Sequence, residues 1–587
     1  MTAAAAVAGE GRTEGLRGEV LALADELDAL RWELSPFGAT FMGQPGHDHE
    51  VEDVTAVAQA HYRTVLADVA ARAEQLHERA LEQTPVDDAG EAAPALDPAT
   101  LVTLTAVLHT AHGLVAQIDA ALVEFAVGPM ADGPGVLLQL AAVTVPEGAA
   151  DAAAYADRCR ALGGYLDACA ERLRGGAAAG RTPVRAVVER ALGMVDGYLA
   201  ADVAADPLLA VPAPPGWDGE PAWRAELEAA VRDVVRPATA RYRETLAGLL
   251  SVSRGDDRPG IVHVPGGREV YDRLVLVHTT LPVAAEELHE LGLAAVAELR
   301  GEFERVGARM GLHGFDAVRD AALAAVEGVD GAEALDRARG VVARAEEALT
   351  GWFLEPLPPP CRVEPMAAAL GRAGAAPHYS PPTPDGRRAG TYWFNVDTVG
   401  IGAGWDLAAT AYHEAVPGHH LQLERMLTRD DMPSLQRLGL VTAHAEGWGL
   451  YAELLAGEMG LYEGDREVVG ALTLRIFRAA RLVVDTGLHA LGWSRTQALE
   501  YLASNAPVGA DMIASEVDRY IAWPGQALAY YTGFTEILRL REEARATLGD
   551  AFDIAGFHAA VLDSGGIPLP ALRTAVAAWT AQVSASA

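Results

Sequence analysis

His413-Glu414-Ala415-Val416-Pro417-Gly418-His419-His420 is the stretch on which the reading of this chain turns. It sets a His-Glu pair at the end of an expected helix and two further histidines just past a Pro-Gly break. The arrangement is close to the HExxH signature of zinc hydrolases, in which two histidines on one helix face bind the metal and the glutamate activates water. It departs at one place: Pro417 stands where the second histidine would fall. Residues four apart share a helix face, but His413 and His419 are six apart, roughly 9 Å along an unbroken axis. Two ligands of one zinc sit much closer, since each Zn–N bond is only about 2.0–2.1 Å. An unbroken helix therefore forbids the pair, and Pro417 with Gly418 relieves the conflict. Proline removes a helical N–H and kinks the helix, and glycine tolerates unusual backbone angles. A kink or wide turn brings His419 or His420 back beside His413. The alternative is a kinked helix carrying three structural histidines.

A partner stretch follows at His444-Ala445-Glu446-Gly447-Trp448-Gly449-Leu450-Tyr451-Ala452-Glu453. Glu446 lies 33 residues after His413, a spacing at which many HExxH enzymes place a third ligand. The run is compatible with helix, and Glu446 and Glu453 fall two turns apart on one face. Taken alone, Glu446 reads as a solvated acid. Taken with His413, Glu414 and His419, it completes a site of two histidines and one carboxylate with an open fourth position.

These two stretches, with RAARLVVDTGLHALGWSR at 478–495, PGQALAYYTG at 524–533 and FHAAVLDSGGIPL at 557–569, resemble in that order the bacterial DUF885 family. The close resemblance covers roughly 365–587, and a looser one runs through Pro36-Phe37-Gly38-Ala39-Thr40 and 278–292. It implies a mostly helical, zinc-peptidase-like protein. It also implies His413 and His419 as metal ligands, Glu414 as base and Glu446 as third ligand. The family pattern His-Glu-x-x-Pro-Gly-His leaves the next position variable, which favours His419 over His420. One departure is Tyr531, where relatives often carry lysine. If that lysine binds a substrate carboxylate, the substrate here differs.

Composition narrows the alternatives. The chain has 587 residues and no lysine, so all 46 basic residues are arginine. That excludes Schiff-base and pyridoxal phosphate chemistry and a P-loop lysine. A net charge of −35 argues against nucleic-acid binding. Cys159, Cys169 and Cys361 have no motif spacing and read as idle thiols. Met1 to Gly18 lacks the basic start and apolar run of a signal peptide, and no stretch approaches 18 uninterrupted apolar residues. The expectation is a soluble cytoplasmic protein with no membrane partner and, at most, a homodimeric assembly.

Helical periodicity dominates: 15–34, 51–83, 98–127, 149–174, 183–204, 222–251, 284–310 and 331–350 read as helices, with Pro-rich breaks at 206–217 and 355–365. No fixed-period repeat supports a solenoid. The main strand candidate is 390–396, rich in β formers and just ahead of the His413 helix. As an edge strand it could pair with an extended peptide, with Asn395 as a substrate contact. The alternative is a buried hairpin arm. The expected fold is mainly α: a large multi-helix, metallopeptidase-like fold with a small β-sheet bordering a metal cleft. It divides into a helical part over 1–365 and a metal-site part over 366–587, integrated in one catalytic domain.

Several further residues are candidates to finish the site. Arg481, Asp485 and His489 share one helix face, and Asp485, His489 or His420 could orient a metal-bound histidine. Tyr520 or Tyr530 could donate to a developing oxyanion, and Arg478 or Arg481 could hold a substrate carboxylate. Trp448, Trp493 and Trp523 read as core packing. The expected activity is zinc-dependent hydrolysis of an amide bond in a short peptide or amide-linked small metabolite, with Glu414-activated water. Two rivals are a biosynthetic metalloenzyme acting on a non-peptide substrate and a non-catalytic helical binding protein.

Overall fold

The helix Asp465–His489 is buried on every side from Val469 onward, Arg475 alone being half-exposed. A helix apolar all round belongs in a core, and this one is the axle of the molecule. Ala285–Arg309 packs along its length. Thr442–Glu458 and Ala529–Leu548 pack against each other beside it. Those last two helices touch backbone to backbone: a Cβ on Gly447 would lie 2.6 Å from the Gly533 Cα, and one on Gly533 would lie 1.8 Å from the Ala443 carbonyl oxygen. The computed structural model describes residues 3–82, 96–128, 141, 143–325, 330–366, 371, 376–397 and 404–586.

Two smaller helical groups flank this centre. Ala3–Leu34, Ala56–Glu82 and Pro98–Ala120 enclose Val20, Leu27, Leu66, Val69, Leu104 and Val107. The helix expected over 51–83 therefore starts five residues late, and its last residue, Gln83, falls outside the described residues. Ala149–Ala178, Arg185–Ala200 and the run from Glu220 to Leu249 enclose Leu166, Val188, Val235 and Leu246. That run is broken by a π-helical turn, Val231–Val235. Pro237 sits just beyond it and cannot donate to, or sit against, the carbonyl one turn back, and the widened turn absorbs the misfit. Among the described residues one helix, Pro98–Glu124, is long and apolar enough to cross a membrane, and 44% of its apolar window is buried inside the fold.

The largest apolar core ignores the boundary at 365. It joins Leu274, Leu288 and Phe303 to Leu450, Phe477 and Ile537. The sheet is small and three-stranded, in the order β1 (Arg362–Pro365), β3 (Thr391–Phe394), β2 (His378–Ser380). β1 runs parallel to β3, with Arg362 opposite Thr391, and β2 runs antiparallel, with His378 opposite Trp393. The strand read from 390–396 is thus the central one, hydrogen-bonded on both sides. It offers no free edge to a peptide, and the edge-strand reading is corrected. Burial explains its position: Thr391, Tyr392 and Phe394 are all buried, as a central strand requires.

Candidate metal centre

The helix Leu407–Glu414 ends where Pro417 cannot continue its hydrogen bonding, and a second helix, His419–Leu427, begins two residues later. The intervening turn folds back tightly. A Cβ on Gly418 would lie 1.9 Å from the His413 carbonyl oxygen, so only glycine fits. Trp448 holds the turn by donating its indole N–H to the Pro417 carbonyl at 3.0 Å and to that of Gly418 at 3.3 Å. The tryptophan read as packing therefore also clamps the turn. The result is that the His413 and His419 rings meet, with centroids 4.7 Å apart at 85°.

Glu446 comes up from Thr442–Glu458 between them. Its Oε2 is 3.3 Å from His413 Nε2 and 3.7 Å from His419 Nε2. Ligand atoms of the three residues all lie within 4.8 Å of one another. Gly449, less than one turn beyond Glu446, makes room for the imidazole: a Cβ there would sit 2.5 Å from His413 Cε1. On its other side His413 Nδ1 is 2.8 Å from Glu453 Oε1, and Glu453 is fully buried. An ionised carboxylate can only accept, so Nδ1 carries the proton and Nε2 faces His419 and Glu446. Burial works against charge on His413, but the bonds to Glu446 and Glu453 outweigh it and lift its pKa to about 9. Burial likewise opposes charge on Glu446, yet His413 and His419 hold its carboxyl well below the usual range. Three groups that converge on one point and draw positive charge to it fit a divalent cation. Two imidazoles and a carboxylate with a buried carboxylate behind one imidazole suit zinc.

Glu414 closes the first helix directly beside His413 and is half-buried. Its charge acts on His413 and on the Tyr392 phenol of β3. His420 points the other way. Its Nδ1 meets the Tyr379 hydroxyl at 2.9 Å and its Nε2 meets the Pro359 carbonyl at 2.7 Å, and burial pushes its pKa down to about 4. Both ring nitrogens are occupied, so His419 is the candidate ligand, and His420 braces the helix against the sheet.

The expected orienting residues are also corrected. Asp485 accepts from the Tyr271 hydroxyl at 2.6 Å and from the Gly525 N–H. His489 Nδ1 accepts from the Ile261 N–H at 3.0 Å, and its Nε2 meets the Tyr520 carbonyl. Both tie the central helix to its neighbours and neither reaches a ligand histidine. The residue behind His413 is Glu453, two turns from Glu446 on the same face, a role that the spacing alone does not reveal. Asn395 donates to the Gly371 carbonyl at 3.2 Å and accepts from the Asp397 N–H, so it shapes the loop after β3.

Arg478 and Arg481 divide their work. Arg478 lies 3.8 Å from Glu453 Oε1, behind the metal ligands. Arg481 donates to Glu516 at 2.9 Å and to the Tyr520 hydroxyl at 3.1 Å, with its guanidinium 4.4 Å from the centre of the Tyr530 ring. Tyr520 in turn donates to Glu516 at 2.7 Å. Tyr530 is half-buried, and burial together with the charge of Glu446 raises its pKa. Of the two tyrosines, Tyr520 is spent on Glu516, and Tyr530 is the one on which the charge of Glu446 acts.

This centre, set in a nearly all-helical fold, defines a protein of the HExxPGH type, with two histidines and a downstream glutamate drawn from three helices. The chain belongs to a family of bacterial proteins of unknown function, DUF885, whose pattern matches residues 36–576. A crystal structure of a "putative lipoprotein" from Colwellia psychrerythraea is similar over 97% of this chain and 99% of its own, with a TM-score of 0.85 and 24% identity. A second "putative lipoprotein", from Shewanella oneidensis and of unknown function, is similar over 94% of this chain and 98% of its own, with a TM-score of 0.67 and 18% identity. At these identities the likeness is one of fold. No curated protein is significantly similar to the chain.

Proposed function

We propose that this protein is a zinc-dependent hydrolase of amide bonds acting on short peptides or amide-linked small metabolites. The observation that carries the reading is the convergence of His413, His419 and Glu446 within 4.8 Å, with Glu414 next to them in sequence. When bound there, zinc would polarise a carbonyl and lower the pKa of its water. Glu414 takes the proton of the attacking water and returns it to the leaving nitrogen. Glu453 holds the His413 ring in the tautomer that leaves Nε2 free to ligate. Tyr530, kept protonated by burial and by Glu446, supplies a hydrogen bond to a developing oxyanion.

Neighbours described as lipoproteins favour an envelope setting over the cytoplasmic one expected from the sequence. The activity is tested by incubating zinc-loaded protein with a mixture of N-acetylated tripeptides and following new amines by mass spectrometry. Turnover by wild type that is lost in Glu414→Gln supports the reading. A zinc-loaded wild type that cleaves nothing in the mixture counts against it.

A further inference from the structure

Beside the metal ligands lies a group of charges that hydrolysis of the amide does not use. Arg481 and Arg519 both grip Glu516: Arg481 Nη2 at 2.9 Å, Arg519 Nη2 at 3.0 Å and Arg519 Nε at 3.0 Å. Arg519 spends its remaining end on the Gln526 side-chain oxygen at 2.6 Å. Two arginines against one glutamate leave one positive charge in excess. Arg481 is only 7% exposed, and its Nη1 is buried with no hydrogen-bond partner. A buried guanidinium edge with nothing to donate to is costly, and a ligand that brought an acceptor would remove the cost.

The position of that edge relative to the metal ligands follows from two helices. Arg481 lies three residues beyond Arg478, on the same face of Asp465–His489, and Arg478 sits 3.8 Å from Glu453, the carboxylate that holds His413. Glu446 and Tyr530 lie on the two helices that meet where Gly447 touches Gly533. Tyr530 lays its ring over Arg481 at 4.4 Å, and its helix packs against the one that carries Glu446. The guanidinium is thus covered by a residue of the helix that meets the Glu446 helix.

The charges of the whole region agree. Glu453 is matched by Arg478, and two arginines share the single carboxylate of Glu516. With Nε on Tyr520 and Nη2 on Glu516, Nη1 remains to donate a charge-assisted hydrogen bond to a carboxylate oxygen.

Resting on the hydrolase reading above, we propose that the free edge of Arg481 binds the C-terminal carboxylate of a short peptide, so that cleavage falls within a residue or two of that end. The surplus charge selects an anionic terminus. Arg478 is excluded from this role because it faces Glu453.

The test compares matched N-acetylated tripeptides that end in a free carboxylate or in a carboxamide. Two readouts are used: hydrolysis by the zinc-loaded wild type, and calorimetric binding to zinc-loaded Glu414→Gln protein, which holds substrate without turning it over. The free acid is expected to exceed the amide by about 10- to 150-fold in both, the range of a charge-assisted hydrogen bond. Arg481→Gln should bring the ratio close to one, and Arg481→Lys, which keeps the charge but not the guanidinium geometry, should leave an intermediate ratio. The wild-type ratio itself needs no variant to fold. Equal cleavage and equal binding of acid and amide overturn the carboxylate site and leave the hydrolase standing. Selective binding of the acid without any cleavage keeps the carboxylate site and overturns the hydrolase. Neither binding nor cleavage overturns both.

Discussion

Glu453 Oε1 accepts the Nδ1 proton of His413 at 2.8 Å from a position with no exposure to solvent. The pair fixes both the tautomer and the tilt of the first ligand. Removing the carboxylate's charge while keeping its shape should therefore act on the metal. Glu453→Gln is expected to weaken zinc binding about 10- to 100-fold, measured by competition with a chromogenic chelator. An unchanged affinity would show that the contact only packs the helix.

The ligand set itself is separable by metal analysis. Wild type is expected to carry zinc, and His413→Ala, His419→Ala and Glu446→Ala should each lose it. His420→Ala should keep it, because both nitrogens of His420 are engaged by Tyr379 and Pro359. Loss of zinc in His420→Ala with a normal melting curve would reassign the second ligand.

Two glycines of the same helix should fail differently. Gly449→Ala drives a methyl to 2.5 Å from the His413 ring, so the metal site should suffer first. Gly447→Ala drives one into the Gly533 backbone, so the helix pair should part, at a cost of about 1–3 kcal/mol typical of overpacking. Zinc content and thermal midpoint, read together, should split: zinc falls first in one variant and the midpoint in the other.

Asp485 gives the protein a pH dependence away from the metal. Burial lifts its pKa to about 7, against about 3.9 in an unfolded chain. A carboxyl raised in the folded state favours folding while both states are protonated, and that contribution is lost as pH climbs from about 4 to about 7. Each unit is worth about 1.4 kcal/mol, so wild type should lose about 2–3 kcal/mol against Asp485→Asn between pH 5 and 8. Urea midpoints at the two pH values measure it, and a constant difference between the proteins would contradict the raised pKa.

Much of the fold was legible because the helices carry their own periodicity. The expected helices at 15–34, 98–127 and 149–174 match Ala3–Leu34, Pro98–Ala120 and Ala149–Ala178 apart from their ends. Chain ends of helices depend on capping and on what packs above them, and the periodic pattern does not contain that. The strand at 390–396 was legible as a strand but not as a central one, since pairing is settled by segments near 362 and 378 with little β character of their own.

At the site, the conflict between a spacing of six and a shared metal pointed to the turn at Pro417 and Gly418. The direction of a side chain leaving such a turn is fixed by tertiary contacts. The family pattern favours His419 over His420, and the contacts of Tyr379 and Trp448 give that preference its physical reason. Arg481, Asp485 and His489 shared a helix face as expected. Yet the central helix is enclosed on all sides, and sequence offers no way to say which neighbour each of them meets.

That enclosure bears on how the protein could be cut down or recombined. The Asp465–His489 helix bears Arg478 and Arg481, and it is sheathed by Ala285–Arg309 from the other side of position 365. A fragment starting at 366 would keep every candidate ligand and still present Val483, Leu482 and their neighbours bare to water. The chemistry of the C-terminal third is therefore not a portable cassette: an engineer who wants the metal centre must take the helical wrapping encoded well before it.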